Sequence, residues 1–309
     1  MMDLLSSVLR MVHARAGLSG RLRAGGDWSL RFPPPDEVKF NAVVEGDCWL
    51  IADSEPEPIH LRAGDSFLLV KAQSYVLTSN PLLTPLPAGT VFSSLVDGIA
   101  VAGSGVGTLV IGGQLALEQR SSALLLGQLP PLVLVRADKA ASEDLRWALH
   151  LLVGEVGTGE PGSSLLADHL AQMIVILILR VFQASGGAPI AGWMRGLGDR
   201  QVAAALHAIQ TEPARSWSVR DLAAAVGMSR TSFAGRFAQL VGLGPMGYLT
   251  EWRVQLAADL LGRETISLAA VAASTGFASE GALTAAFRRR FGMTPARYRR
   301  TLLVGSKLA

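Results

Sequence analysis

A single cysteine, Cys48, stands in 309 residues, which excludes an internal disulfide framework and any metal site built on several cysteines. Set in an apolar run, its thiol reads as a small buried hydrophobe in a reducing compartment. Charged residues are also sparse, 17% against 50% hydrophobic. That balance excludes a disordered chain and leaves apolar material for two cores. No run approaches the roughly 18 consecutive apolar residues of a membrane span. The longest near the middle, Met173 to Leu179, is closed by Arg180 and preceded by Asp168 and His169. The N-terminal stretch carries Asp3, Arg10 and Arg15 without a long apolar segment, so no signal peptide is expected. The expected compartment is the cytoplasm, with no membrane partner.

Proline becomes rare after residue 195, where only Pro213, Pro245 and Pro295 remain of fifteen. Charge changes sign near the same point. Residues 1–194 hold 13 Lys+Arg against 18 Asp+Glu, and residues 195–309 hold 15 against 7. Only the second half is suited to a polyanion. In the first 135 residues, short alternating stretches (Trp28-Leu30-Phe32, Val38-Phe40-Ala42-Val44, Phe67-Leu69) are separated by Pro33-Pro34-Pro35, Gly46-Asp47 and Gly64-Asp65. Such strands and turns argue for an antiparallel β-sandwich or small barrel. From Asp138 to Ala184 the period is helical, with Leu145, Leu149 and Leu152 on one face. A second helix runs from about Ser163 to Gln183, apolar nearly all round at Met173–Leu179 and therefore covered, by the β-rich part or by a second copy. Gly186-Gly187-Ala188-Pro189 reads as a linker. The glycine cluster Gly103-Ser104-Gly105-Val106-Gly107 fits neither G-x-G-x-x-G nor G-x-S-x-G, because Thr108 and Ala102 break them, and reads as a turn.

The last hundred residues contain an internal repeat. At an offset of fifty, Ser229, Phe237, Gly242, Pro245 and Tyr248 fall on Ser279, Phe287, Gly292, Pro295 and Tyr298. Just upstream the offset is 49, with Ala223 on Ala272 and Gly227 on Gly276. Each copy reads as helix, glycine turn, helix. Val219, Leu222, Ala223 and Val226 share one face; Ser218 with Asp221 forms a capping-box pattern; Ser229 and Ser279 cap the second helices. Two short helices about a glycine turn present the second to the DNA major groove. A connecting helix opened by Pro245 carries Leu249, Trp252, Leu256 and Leu260 on one face. It is expected to hold two reading helices about one DNA turn apart.

Several strings here resemble the AraC/XylS regulators. They are Asp199-Arg200-Gln201, the stretch from Trp217 to Ala223, Gly227-Met228-Ser229-Arg230, Trp252-Arg253, Gly276-Phe277-Ala278-Ser279, and the stretch from Phe291 to Arg299. The stretches Trp28 to Phe32, Glu45 to Leu50 and Leu61 to Asp65 resemble the cupin-type sensor of one branch of that family. The resemblance implies an α+β chain with a cupin-like antiparallel β-barrel and helices, followed by an all-α double helix-turn-helix domain. The expected boundaries are 1–135 for the sensor, 136–190 for a helical dimerisation or linker region, and 195–302 for the DNA-binding domain. Its helix-turn-helix motifs are placed at about 218–241 and 267–291.

The implied partner is promoter or operator DNA, with RNA polymerase as a further possible partner, a small effector in the first domain, and a homodimer as the assembly. The residues expected to face DNA are Arg230, Thr231, Ser232, Gly235 and Arg236 in the first reading helix. In the second they are Glu280, Gly281, Thr284 and Ala285, with Arg288 and Arg289. Many relatives carry arginine where this chain has Gly235 and Ala285, and neither residue can make a bidentate guanine contact. Reading then falls to Arg230, Arg236, Glu280 and Thr284 and to DNA shape. Arg288–Arg290, Arg297, Arg299 and Arg300 are expected on phosphate. No catalytic residue, cofactor or metal is expected. Histidines common in the sensor branch are replaced by Asn41 and Tyr75, and His60 alone cannot supply a metal site. A methyl-acceptor role would need several cysteines. A regulator whose first domain only dimerises remains an alternative to a ligand sensor.

Overall fold

The computed structural model describes residues 4–11, 14–96, 98–117, 126–127, 129–137, 143–156, 160–184, 192–263 and 266–305. The chain forms two compact units. It opens with α1 (Leu4–Met11), whose Leu5, Val8 and Leu9 are buried at helical spacing. This helix packs with the second unit. An eight-residue amphipathic helix does not disclose which core receives it.

The first unit contains β1 (Arg15–Gly25), β2 (Ser29–Phe32), β3 (Val38–Glu45), β4 (Asp47–Ala52), β5 (Ile59–Arg62), β6 (Ser66–Leu69), β7 (Tyr75–Thr78) and β8 (Leu86–Pro87). After α2 (Gly89–Phe92) come β9 (Ala100–Gly103), β10 (Thr108–Ala116) and β11 (Leu132–Val135), then α3 (Glu143–Glu155) and α4 (Ser163–Ala184). One sheet runs β11-β6-β3-β10-β1-β9 and the other β5-β4-β7-β2-β8. Among the described residues no ladder joins the two sheets, so the expected barrel is instead a sandwich of open sheets. Two pairs, β1 with β9 and β2 with β8, are parallel rather than antiparallel. The glycine cluster at 103–107 forms the turn between β9 and β10.

Leu22, Leu30, Val43, Leu50, Phe67 and Tyr75 belong to the core between the sheets. The outer face of the six-stranded sheet is covered by α3 and α4, which pack on β3 and on β1, β10 and β11 respectively. Residues 173–179 of α4 find their cover there: Ala167, Leu170, Ala171, Ile174, Ile178 and Val181 are among its buried side chains. At 22 residues α4 is long and apolar enough to cross a membrane, yet more than half of that stretch is buried in the fold. Cys48 is fully buried, and burial first, with Asp47 and Asp65 adding, pushes its thiol up to about 12. It packs as a small hydrophobe.

The second unit continues with α5 (Trp193–Gly196), α6 (Arg200–Thr211), α7 (Val219–Ala225), α8 (Arg230–Val241), α9 (Pro245–Arg263), α10 (Leu268–Thr275), α11 (Glu280–Phe291) and α12 (Pro295–Gly305). Helix α9 contacts α8 on one side of the repeat and α10, α11 and α12 on the other. Around its second half, Val254, Ala257, Leu261, Val271, Leu283, Phe287 and Tyr298 make one core.

Candidate nucleic-acid interface

Both copies of the repeat are built by the same local devices. Ser218 accepts from the Asp221 amide while the Asp221 carboxylate accepts from the Ser218 amide, a complete capping box on α7. Ser229 caps α8 through Ser232 N, Ser267 caps α10 through Ala270 N, and Ser279 caps α11 through Ala282 N. The turns are equivalent bond for bond. Met228 N donates to Ala223 O at 2.9 Å and Gly227 N to Ala224 O at 3.1 Å; Phe277 N donates to Ala272 O at 2.8 Å and Gly276 N to Ala273 O at 3.2 Å. These paired bonds are Schellman closures, which need a left-handed residue at the glycine. Gly227 has φ 69° and Gly276 φ 81°.

Behind each reading helix the packing also repeats. Phe237 meets Tyr248 edge-on at 5.9 Å between centroids, and Phe287 meets Tyr298 edge-on at 5.1 Å. Phe233, Phe237, Leu283 and Phe287 are wholly buried. That burial orients α8 and α11 and turns their opposite faces outward. Arg230, Thr231, Ser232, Gly235 and Arg236 are exposed on α8; Glu280, Gly281, Ala285, Arg288 and Arg289 are exposed on α11, and Thr284 is half-buried. A Cβ at Gly235 would meet nothing within 4 Å, so that gap in the surface is room rather than a packing requirement.

The arginines divide into two groups. Among the described residues Arg230, Arg288 and Arg289 form no ion pair, and their charge stays available. Arg236 is already engaged: its Nε donates to Asp199 Oδ2 at 2.6 Å, and its Nη2 reaches the same oxygen. Asp199 Oδ1 meanwhile caps α6 by accepting from Gln201 N and Val202 N. Partial burial pulls the Asp199 carboxyl upward, but the bonds from Val202, Arg236 and Gln201 outweigh it and hold the group below the usual carboxylate range. Asp199 was legible only as part of the family string, and nothing local in the sequence ties it to a residue 37 positions away.

Other arginines of the basic half are occupied within the fold. Arg290 pairs with Glu251 at 3.1 Å. Arg299 donates to Ile266 O at 2.6 Å. Arg253 ties down the loop after α6, donating to Pro213 O at 2.7 Å and Arg215 O at 2.8 Å. Arg215 in turn lies 3.9 Å over the Trp217 ring, and the Trp217 indole donates to Glu212 O. These contacts fix the approach to α7 rather than offering donors outward.

In the first unit, Asn41 and Tyr75 are neighbours in the lining of a cavity of about 300 Å³ between the sheets. Burial pushes the Tyr75 phenol up, with the neighbouring Asn41 amide acting against it. Among the described residues no cluster of three His, Cys, Asp or Glu side chains is placed to hold a metal.

Residues 3–184 match the family described as Cupin, and residues 222–301 the family described as Helix-turn-helix domain. A protein of Streptomyces lividans named "Putative AraC-like transcription regulator" is 43% identical over 299 residues, 97% of this chain and 98% of that one. A second of the same name from Streptomyces antibioticus is 42% identical, over 97% of this chain and 99% of its own length. Among solved structures, the DNA-binding domain of AdpA in complex with a target DNA is 36% identical. It covers 31% of this chain and 87% of that one, with a TM-score of 0.31.

Proposed function

The chain belongs to the AraC-like transcription regulators, and from that premise we propose that it reads a promoter or operator through α8 and α11 under control of a small effector held in the sandwich. The observation that carries this is the pair of matched capped turns, which leave two equivalent helix faces exposed in the basic half of the chain. Arg230, Thr231, Ser232, Gly235 and Arg236 form one reading face, and Glu280, Gly281, Thr284 and Ala285 the other. Arg288 and Arg289 grip phosphate beside it. Helix α9 has 19 residues, about 28 Å at 1.5 Å each, close to the roughly 34 Å between successive major-groove faces. One chain thereby spans two adjacent groove segments.

The working assembly is a homodimer in the cytoplasm, with RNA polymerase as a further partner at the promoter. Trp147 and Leu151 on α3 and Leu165 and Leu166 on α4 are exposed apolar side chains, which supports a second copy covering this face. The protein carries out no catalysis and needs no cofactor. The test is selection of chromosomal fragments by the purified full-length chain at two salt concentrations. Enrichment of a defined site, weakened by salt, is the expected result. Retention without sequence preference, or none at all, overturns the reading.

A further inference from the structure

Away from the cavity between the sheets, the first unit has a second cleft of about 560 Å³. It lies where β5, the turn from β5 to β6, the end of β11 and α3 meet, and its lining includes Arg62, Arg136 and Arg146. The two carboxylates beside these arginines are already spent. Asp65 is buried; its Oδ2 accepts from Arg62 N at 3.1 Å and from Arg136 Nη1 at 2.8 Å, and its Oδ1 accepts from Ala137 N at 2.8 Å. Arg136 Nη1 also donates to His60 O at 2.6 Å, so this guanidinium is held in the wall. Asp47 stands opposite Arg62 in the β4–β5 ladder, but its carboxylate meets His60 Nε2 at 2.7 Å.

The side chains of Arg62 and Arg146 are exposed, and among the described residues neither has an ion pair or a hydrogen bond. The stem of Arg146 lies over the turn. A Cβ on Gly64, where φ is 89°, would stand 2.7 Å from Ala137 Cβ and 3.4 Å from Arg146 Cδ, so glycine leaves the arginine its place at the cleft. This local charge runs against that of its surroundings. Residues 1–194 hold 13 Lys+Arg against 18 Asp+Glu, a balance that repels a long polyanion such as DNA. Like charges gathered without counter-ions repel one another, and a small multivalent anion set among them offsets that cost. A carboxylate engages one guanidinium fork. A phosphate monoester carries about −1.5 to −2 at pH 7 and three strong acceptor oxygens, which matches two forks in charge and in geometry. The volume corresponds to about twenty water-sized groups at roughly 30 Å³ each, which leaves room for the body of a small molecule behind its phosphate.

We infer that this cleft binds the phosphate group of a small phosphorylated molecule, with Arg62 and Arg146 as its donors and the fixed Arg136 adding positive charge. The site is distinct from the cavity between the sheets, and binding here stands or falls independently of the proposed effector control.

Full-length protein in phosphate-free buffer is titrated with inorganic phosphate, glucose 6-phosphate and adenosine 5′-monophosphate by calorimetry and thermal shift, with glucose, adenosine and succinate as comparators. The phosphates are expected to bind and to raise the melting temperature; glucose and adenosine are not, and succinate is expected to bind more weakly than inorganic phosphate. Arg62→Ala and Arg146→Ala change exposed side chains and are expected to fold. Each is expected to lose about tenfold or more in affinity for the phosphates, since a hydrogen bond between charged partners is the stronger kind. Arg180→Ala removes an equal charge from an exposed position on α4 and is expected to leave that affinity unchanged. Binding of none of the three phosphates, undiminished affinity in both cleft variants, an equal loss in Arg180→Ala, or succinate binding as tightly as phosphate overturns the inference. DNA titrations of the Arg62→Ala, Arg146→Ala double variant separate a small anion from nucleic acid. An unchanged salt slope is expected; a slope reduced by about 2 assigns both arginines to DNA phosphate and overturns the small-molecule assignment.

Discussion

Arg236 shows how a single side chain acquires two neighbours of different consequence. Asp199 takes the Nε–Nη2 edge of the guanidinium, and about half of the Arg236 side chain stays exposed. A planar fork held in this way loses less freedom when it meets a base edge. Arg236→Ala is expected to weaken binding to the preferred site by about 1–3 kcal/mol. Asp199→Asn keeps a good cap for α6 but releases the arginine, so it is expected to cost about 0.5–1 kcal/mol of DNA affinity through lost ordering with little change in melting. Fluorescence anisotropy on the selected site measures both. An Arg236→Ala variant with unaltered affinity and site preference removes that residue from the reading face.

Lys39 makes a separate prediction about stability. Its ammonium titrates at about 8 in the folded chain against an ordinary 10.5. Because folding lowers this pKa, the buried charge is a full cost below pH 8. The cost fades as pH rises toward 10.5, where the unfolded chain loses the proton too. Lys39→Met is therefore expected to stabilise the ligand-free protein by about 1–3 kcal/mol at pH 7, with the gain shrinking by pH 10. Urea denaturation at the two pH values measures it; a destabilised variant at pH 7 means the charge is compensated.

At the scale of elements, the repeat separates what a glycine does by conformation from what it does by space. Gly227 and Gly276 both have positive φ, but a Cβ on Gly227 meets nothing within 4 Å, whereas on Gly276 it would stand 2.7 Å from Ala214 Cα and 2.8 Å from Pro213 O. Gly227→Ala is expected to cost about 1–2 kcal/mol, the left-handed penalty, and Gly276→Ala distinctly more because backbone must move. Chemical denaturation ranks the two, and equal losses refute the spatial argument. Truncating Phe237 or Phe287 to alanine is expected to cost about 3–5 kcal/mol, read in the same experiment. The caps and turns were legible because each is written within six consecutive residues.

The elements that escaped the sequence reading depend on distant partners. Val38, Phe40 and Ala42 form the conspicuous apolar alternation, yet they face the helices, while Lys39 and Asn41 share a face with Val43 between the sheets. Both faces of β3 are covered, so period two alone points to the wrong interior. For α1, the receiving core lies almost two hundred residues on. The parallel pairings of β8 and β9 are likewise set by tertiary packing rather than by any local signal.

At the scale of the molecule, the charge asymmetry and the arginine inventory make a quantitative claim about DNA. The second half is basic by composition, but Arg253, Arg290 and Arg299 are tied inside the fold. Composition is therefore expected to overstate the number of phosphate contacts. Each phosphate neutralised contributes about 0.9 to the slope of log affinity against log salt on duplex DNA. Arg288→Ala and Arg289→Ala are each expected to reduce that slope by about 1 and to weaken specific and non-specific fragments alike. Arg290→Ala removes a charge from the same triplet, but its guanidinium already has Glu251 for a counter-ion. Its slope should stay near that of the unaltered chain, even though the net charge changes equally. Titrations at three salt concentrations separate the cases. A uniform drop for all three arginines means that overall charge governs affinity and that the division into engaged and free arginines has no bearing on DNA.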